Sequence, residues 1–302
     1  MSVNPSDLPA YAKPAGRFRS NAAGALFVVP AALFFLVLLL LPTLAAIALA
    51  FTYWDGFSVG SVRWAGVHNF TALMSDPVFR SSLRNTLAFV IGTVVFLNLF
   101  GLGAALLIHT RVRGHDFLRV AMFVPLAISP VVTAIIWQQL LSPYGIINSA
   151  LGDLGFQSQA FLGDPALVNK SVIIVAIWQY SGFDMLLYYA ALQGAPQSLL
   201  EAATVDGARF GNRLRFVIIP YLRPVIAVVV IFNMIGGWKV FDLVWVLTQG
   251  GPNHASDVLA TELYSNAFEL NSFGYASMIG VVIVVLALVS SLTRRRISGA
   301  TA

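Results

Sequence analysis

Glu201-Ala202-Ala203-Thr204-Val205-Asp206-Gly207-Ala208 is a short polar, helix-forming segment, broken by a glycine and set between two long apolar runs. It leads into Arg209, Arg213 and Arg215, then Ile219-Pro220 and Pro224. Just upstream, Gly194-Ala195-Pro196-Gln197-Ser198 interrupts an apolar run, and Pro and Ser both suit the first turn of a new helix. Leu199, Leu200, Ala202 and Ala203 give that helix an apolar side, and Asp206-Gly207 ends it, because glycine takes positive φ cheaply at a helix C-terminus. A second short amphipathic stretch, 209–216, follows. Two short helices joined at a glycine make a knob that fits the groove of a soluble partner. The same residues also suit an ordinary loop containing a helical turn.

The rest of the chain explains why an elbow stands there. Of 302 residues, 58% are hydrophobic and only 10% charged, with a mean hydropathy of +0.80. Soluble domains carry about 25% charged residues, so most of this surface does not face water. A span needs about 20 apolar residues. Six runs qualify: 24–51, 85–110, 120–141, 171–192, 217–247 with Gly236-Gly237 inside it, and 272–292. The third contains Pro125 and Pro130, tolerable where neighbouring helices satisfy the freed carbonyls. The first run far exceeds the roughly 7–15-residue apolar core of a signal peptide, so it is expected to stay as a helix.

Six spans put both termini on one side of a membrane, and the basic residues choose the side. Lys13, Arg17 and Arg19 precede the first span; Arg111, Arg113 and Arg119 follow the second; Arg209, Arg213, Arg215 and Arg223 surround the elbow; Arg294, Arg295 and Arg296 close the last. These are 13 of the 18 basic residues, leaving Arg63, Arg80, Arg84, Lys170 and Lys239 elsewhere. By the positive-inside rule the crowded face is cytoplasmic. That placement accounts for the net charge of +5 without nucleic acid.

Several chemistries are excluded. There is no cysteine, hence no disulfide or thiolate site. His68, His109, His115 and His254 are scattered, with no HExxH pair, and no GxxxxGK[ST] phosphate loop occurs.

Glu201-Ala202-Ala203, Gly207 and Pro220 fall at the spacing of the coupling-loop motif of binding-protein-dependent ABC importer permeases, with Val217 and Ile219 as apolar replacements. The segment resembles that loop. The likeness extends from about Phe79 onward: Arg84-Asn85-Thr86, Pro125 and Pro130 with Trp137, Tyr144-Gly145-Ile146-Ile147-Asn148, Trp178, Ala191-Leu192-Gln193, Phe241-Asp242, Leu247-Thr248-Gln249-Gly250-Gly251-Pro252, Tyr264, Ala267-Phe268 and Gly274-Tyr275-Ala276. The likeness is to the maltose-type and glycerol-3-phosphate-type carbohydrate permeases in their six-span form. Asp184 is a departure, since the family more often has an uncharged residue there.

The resemblance implies an all-α membrane protein with six transmembrane helices, a type I ABC importer permease fold carrying a cytoplasmic coupling-helix elbow. It divides the chain into a cytoplasmic tail (1–20), a first helix with an extracytoplasmic loop (21–78), the permease domain (79–296, with the coupling loop at 194–216) and a short C-terminal tail (297–302). Glu201, Ala202, Ala203, Asp206 and Gly207 are then the residues that meet the ATPase. The implied partners are a second, different permease subunit, two copies of an ABC ATPase that binds the ATP and Mg, an extracytoplasmic solute-binding protein, and lipid. The chain itself is expected to need no cofactor and to catalyse nothing, and to lie in the inner membrane of a bacterium with both termini cytoplasmic.

Ionisable residues inside a membrane cost about 2.5–3.5 kcal/mol each, so a functional reading is the default. Asp184 lies inside the fourth span, and Lys239 and Asp242, three apart, share a face of the fifth. They either neutralise each other or line a polar cavity. Asn233 offers hydrogen bonds, Trp238 a stacking surface and Tyr180 both; Gly236-Gly237 is expected to bend the helix beside them. Other readings stay open: a secondary transporter using Asp184 and Asp242 as a proton relay, an importer of a non-sugar solute, or an embedded enzyme, although no GxSxG, HExxH or paired intramembrane Asp is present.

Overall fold

In hydrocarbon a long apolar segment satisfies its own backbone only as a helix. The computed structural model describes residues 27–196, 198, 201, 203 and 205–292, which are helical apart from loops and one two-stranded hairpin. The tails with Lys13, Arg17, Arg19 and Arg294 to Arg296, and Ala202 of the elbow, lie outside the described residues. In chain order the elements are α1 (Phe27–Leu49), β1 (Thr52–Tyr53), β2 (Arg63–Trp64), α2 (His68–Ser75), α3 (Pro77–His109), α4 (His115–Ala127), α5 (Pro130–Leu140), α6 (Ile146–Asp153), α7 (Val168–Gln193), α8 (Phe210–Trp238), α9 (Asp242–Thr248), α10 (Leu259–Tyr264) and α11 (Phe273–Leu292).

Two compact units are distinguished, Met1–Ala48 and Leu49–Ala302. The first holds most of α1, an apolar helix with a π-turn at Leu36–Leu40. In the second, α3 packs along α7, and α8 packs against both. Ala105, Ile108, Met185, Tyr188, Leu222 and Val229 are buried where the three meet. On the other side of α8, Trp238 and Val90 pack against Met278, Ile279 and Ile283 of α11.

Five helices, α1, α3, α7, α8 and α11, are long and apolar enough to cross a membrane, and α4 with α5 makes a sixth if that pair is one span. The pair departs from the single third span expected over 120–141, because it is bent by 105° at the break between its halves. Ile128 and Ser129 are extended, as residues preceding a proline tend to be, and the Ser129 hydroxyl accepts from Val132 N–H to start α5. Gln179 of α7 donates to the carbonyls of Pro125 (3.1 Å) and Ile128 (2.7 Å), so a neighbouring helix serves the carbonyls at the break between α4 and α5.

Two boundaries differ from expectation. The second span starts at Pro77 rather than near 85, since Asp76 caps it by accepting from Val78 N–H and Pro77 fits the first turn. The fifth does not run to 247. It stays helical through Gly236-Gly237 and stops at Trp238; Lys239 to Phe241 leave helical geometry and Asp242 opens α9. Gly237 allows a close contact with α3, because a Cβ there would lie 2.8 Å from Val90 Cγ2. The small β1–β2 hairpin was not expected at all.

The loop after α9 is fixed to the start of α3. The Asn85 amide faces the carbonyls of His254, Ala255 and Asp257 at 3.0–3.3 Å, and Thr86 Oγ1 accepts from Leu259 N–H at 2.9 Å. Two residues of the Arg84-Asn85-Thr86 motif thereby hold residues 254–259, which follow the Leu247-to-Pro252 motif.

Candidate functional site

Where α8 ends, its last turns and the 239–241 break leave a gap between α3, α4 and α7. The gap is a cavity of about 590 Å³. Phe89, Thr93 and Leu97 of α3, Leu126 of α4, Tyr180 and Phe183 of α7, and Phe232, Asn233 and Gly236 of α8 line it, with Lys239 to Leu243 closing one end. It is apolar over most of its wall, with a few polar groups converging, which is the usual make-up of a small-molecule site.

Four of the six residues expected on a solute path border this cavity: Tyr180, Asn233, Lys239 and Asp242. Among the described residues no ion pair joins Lys239 to Asp242, so the mutual neutralisation open to these charges is not formed. Asp242 instead occupies the first turn of α9, where a helix N-terminus favours negative charge. The cavity thus presents an ammonium, a carboxylate, a phenol and an amide to whatever enters.

The other two lie elsewhere. Trp238 is turned away from the cavity and is a correction to its expected stacking role. It is buried against α11, and its Nε1–H donates to Ser290 Oγ at 2.8 Å. The physical reason is register: one residue past Gly237, the side chain projects from the helix face that meets α11. Asp184 is buried behind the wall, and its Oδ2 accepts from Asn233 Nδ2 at 2.7 Å. Its Oδ1 has no partner.

The aromatic surface that Trp238 does not supply comes from residues the sequence reading passed over. Phe183 and Phe232 face each other with ring centroids 5.0 Å apart, and Phe241 stacks on Trp245 at 5.7 Å. Aromatic residues at helical spacing read as core. Only the knowledge that α7 and α8 diverge at this level would have marked these three as lining residues.

At the other end of α7 the elbow behaves as its residues dictate. Ser198, Glu201, Ala203 and Val205 are helical, and Gly207 follows at φ +73°. Ala208 N–H reaches back to Ala203 C=O at 3.0 Å, the six-to-one bond of a glycine-terminated helix. Glu201, Asp206 and Gly207 are exposed, and Ala203 is half-buried. Val205 is 87% exposed and Phe216 67%, so the knob offers apolar side chains as well as carboxylates. Arg119 lies over the Tyr189 ring at 4.7 Å, tying the start of α4 to the end of α7 just before the elbow.

Residues 97–299 match the family described as binding-protein-dependent transport system inner membrane component. The chain is 30% identical over 300 residues to the arabinooligosaccharides transport system permease protein AraP of Bacillus subtilis, covering 97% of this chain and 95% of that one. It is 30% identical to the trehalose/maltose transport system permease protein MalF of Thermococcus litoralis, covering 90% and 92%. Among solved structures, a chain of a bacterial alginate ABC transporter, in complex with an alginate pentasaccharide-bound periplasmic protein, superposes with a TM-score of 0.79 at 25% identity, covering 92% and 96%.

Proposed function

Because the chain belongs to the family of binding-protein-dependent transport system inner membrane components, we propose that the cavity between α3, α7 and α8 is the path of a sugar or related polyol. The chain is a transmembrane permease of an ABC importer, with the type I permease fold. The observation that carries the reading is the set of groups on that cavity. Lys239 and Asp242 are unpaired with each other and share the lining with Tyr180, Asn233, Phe183 and Phe232. Hydroxyls suit such donors and acceptors, and the apolar faces of a sugar ring suit the phenyl groups. The sugar-transport names of the aligned relatives support the same class.

In this reading the chain forms half of a translocation pathway. A second, different permease supplies the other half, and two copies of an ATPase, which alone binds ATP and Mg, sit beneath the elbows. Glu201, Ala202, Ala203, Asp206 and Gly207 carry the contact. ATP closes the ATPase dimer, the elbows move with it, and the cavity opens toward an extracytoplasmic binding protein that delivers the solute; hydrolysis returns it to face inward. The chain contributes no catalytic group. Both termini lie in the cytoplasm of a bacterium whose inner membrane holds the complex, as the distribution of basic residues supports.

The test is ATP-dependent uptake by the reconstituted complex from binding protein loaded with maltose, trehalose, lactose or an arabinooligosaccharide. Uptake of one of these is expected, lowered about 5- to 150-fold by Lys239→Met or Asp242→Asn with complex yield intact. Recovery of normal uptake in the double variant would identify the two residues as a structural clasp and remove them from the path.

A further inference from the structure

Asp184 is the residue the proposed function leaves without a task. It is a buried carboxylate inside α7 whose single hydrogen-bond partner among the described residues is the side chain of Asn233. An ionised carboxylate only accepts hydrogen bonds. Toward the ionised carboxylate Asn233 turns its NH₂, 2.7 Å from Oδ2. With the NH₂ committed at 2.7 Å, the amide oxygen is left over. No described residue donates to it, it is not among the sealed orphan atoms, and Asn233 borders the cavity.

We propose that Asp184 is a positioning residue that locks the Asn233 amide with its oxygen toward the cavity, which makes this point of the wall an obligate acceptor and selects solutes presenting an O–H there. The inference rests on the reading of the cavity as the path of a sugar. An asparagine free to turn offers either NH₂ or C=O and cannot tell a hydroxyl from an acceptor-only group of similar size. A locked one can. A fluorine in place of the matched hydroxyl removes the donor while keeping an acceptor, so the locked wall meets it with oxygen against fluorine. Sites built to hydrogen-bond a hydroxyl reject such analogues strongly, because a desolvated polar group is left unmatched.

The lock has a clear variant. Asp184→Asn keeps the size of the side chain but can donate or accept, so both orientations of the Asn233 amide become hydrogen-bonded and the discrimination should vanish. Asp184→Ser, smaller and also able to do both, gives the same comparison if the first variant does not assemble. The swap of Asp184→Asn with Asn233→Asp restores one orientation: the amide at 184 donates, and the carboxylate at 233 keeps an acceptor on the cavity.

The experiment uses the complete reconstituted transporter and its binding protein. Its probes are maltose and the set of maltose analogues in which one hydroxyl at a time is replaced by fluorine, or the corresponding trehalose or lactose set if that sugar is the one taken up. Affinities of the isolated binding protein for each analogue are measured separately, so that only discrimination at the permease is scored. Wild type should disfavour one analogue by about tenfold or more in uptake. Asp184→Asn or Asp184→Ser should bring that ratio within about threefold of parity, and the swap should restore it. A ratio unchanged in Asp184→Asn and Asp184→Ser, whatever happens to complex yield, overturns the inference and leaves Asp184 as a helix-to-helix clasp. If no sugar is taken up by wild type, the sugar reading of the cavity fails and the inference falls with it.

Discussion

Trp238 donates its indole N–H to Ser290 Oγ across the α8–α11 contact, 2.8 Å away and buried. The last turn of α8 is thereby fixed to α11 on one face while Asn233 and Gly236 look into the cavity on another. Replacing Trp238 by Phe should remove the hydrogen bond while keeping most of the packing. The expected result is a loss of about 1 kcal/mol in stability of the purified complex, read as a lower thermal midpoint, with the preference among sugars unchanged. A changed preference would return Trp238 to the solute path.

Gly207 ends the first helical stretch of the elbow. It holds φ at +73°, and nothing lies within 4 Å of where a Cβ would stand, so the constraint there is conformational and not steric crowding. Gly207→Val should insert and assemble but lose most of the ATPase stimulation by loaded binding protein, since a β-branched residue is strained at positive φ. Gly207→Asn, which tolerates that region, should keep much more of it. Equal coupling in both variants would show that the turn can be reshaped freely.

At the bend between α4 and α5, Gln179 serves two carbonyls at once. Gln179→Met preserves volume and takes the donor from the Ile128 carbonyl, at roughly 1–3 kcal/mol, while the Pro125 carbonyl keeps Ile128 N–H at 3.2 Å. A fall of several degrees in thermal midpoint is expected. Unchanged stability would mean that the bend does not depend on α7.

Glu262 on α10 gives the pH dependence. Burial lifts its carboxyl from 4.5 to about 7, with Ser82 opposing the shift, and its oxygens have no well-formed hydrogen bond. A folded-state value above the unfolded one means that the native state holds the proton more tightly. Its contribution to stability is therefore full below pH 4.5 and declines until about pH 7, by roughly 3 kcal/mol, then stays flat. Glu262→Gln should flatten the thermal midpoint over that interval. A wild-type midpoint that rises with pH there would contradict the assignment.

Much of this was legible beforehand, for definite reasons. Run length located the apolar helices because it depends on local sequence alone, and the elbow was readable because Gly207 and Ala208 obey a short-range rule. The end of α8 was not. Residues 217–247 read as one long run in composition, and nothing in that run marked Trp238 as the end of the helix. That stop also decided the site. It exposed Lys239 and Asp242 to the cavity without pairing, buried Trp238 and brought in Phe183 and Phe232. The Asp184–Asn233 contact joins residues 49 apart in sequence, which no periodicity could have linked.

The absence of cysteine makes the cavity open to a direct test. Phe183→Cys in the reconstituted complex places one thiol of this chain on the cavity wall, and the rate of its reaction with a small water-soluble maleimide can be followed with and without ATP and the transported sugar, in a background where the partner chains carry no reactive cysteine. Labelling slowed by the sugar, and switching between inside and outside reagent as ATP is bound, is the predicted result. Labelling indifferent to both sugar and ATP would contradict the central claim that this cavity is the alternating path of the solute.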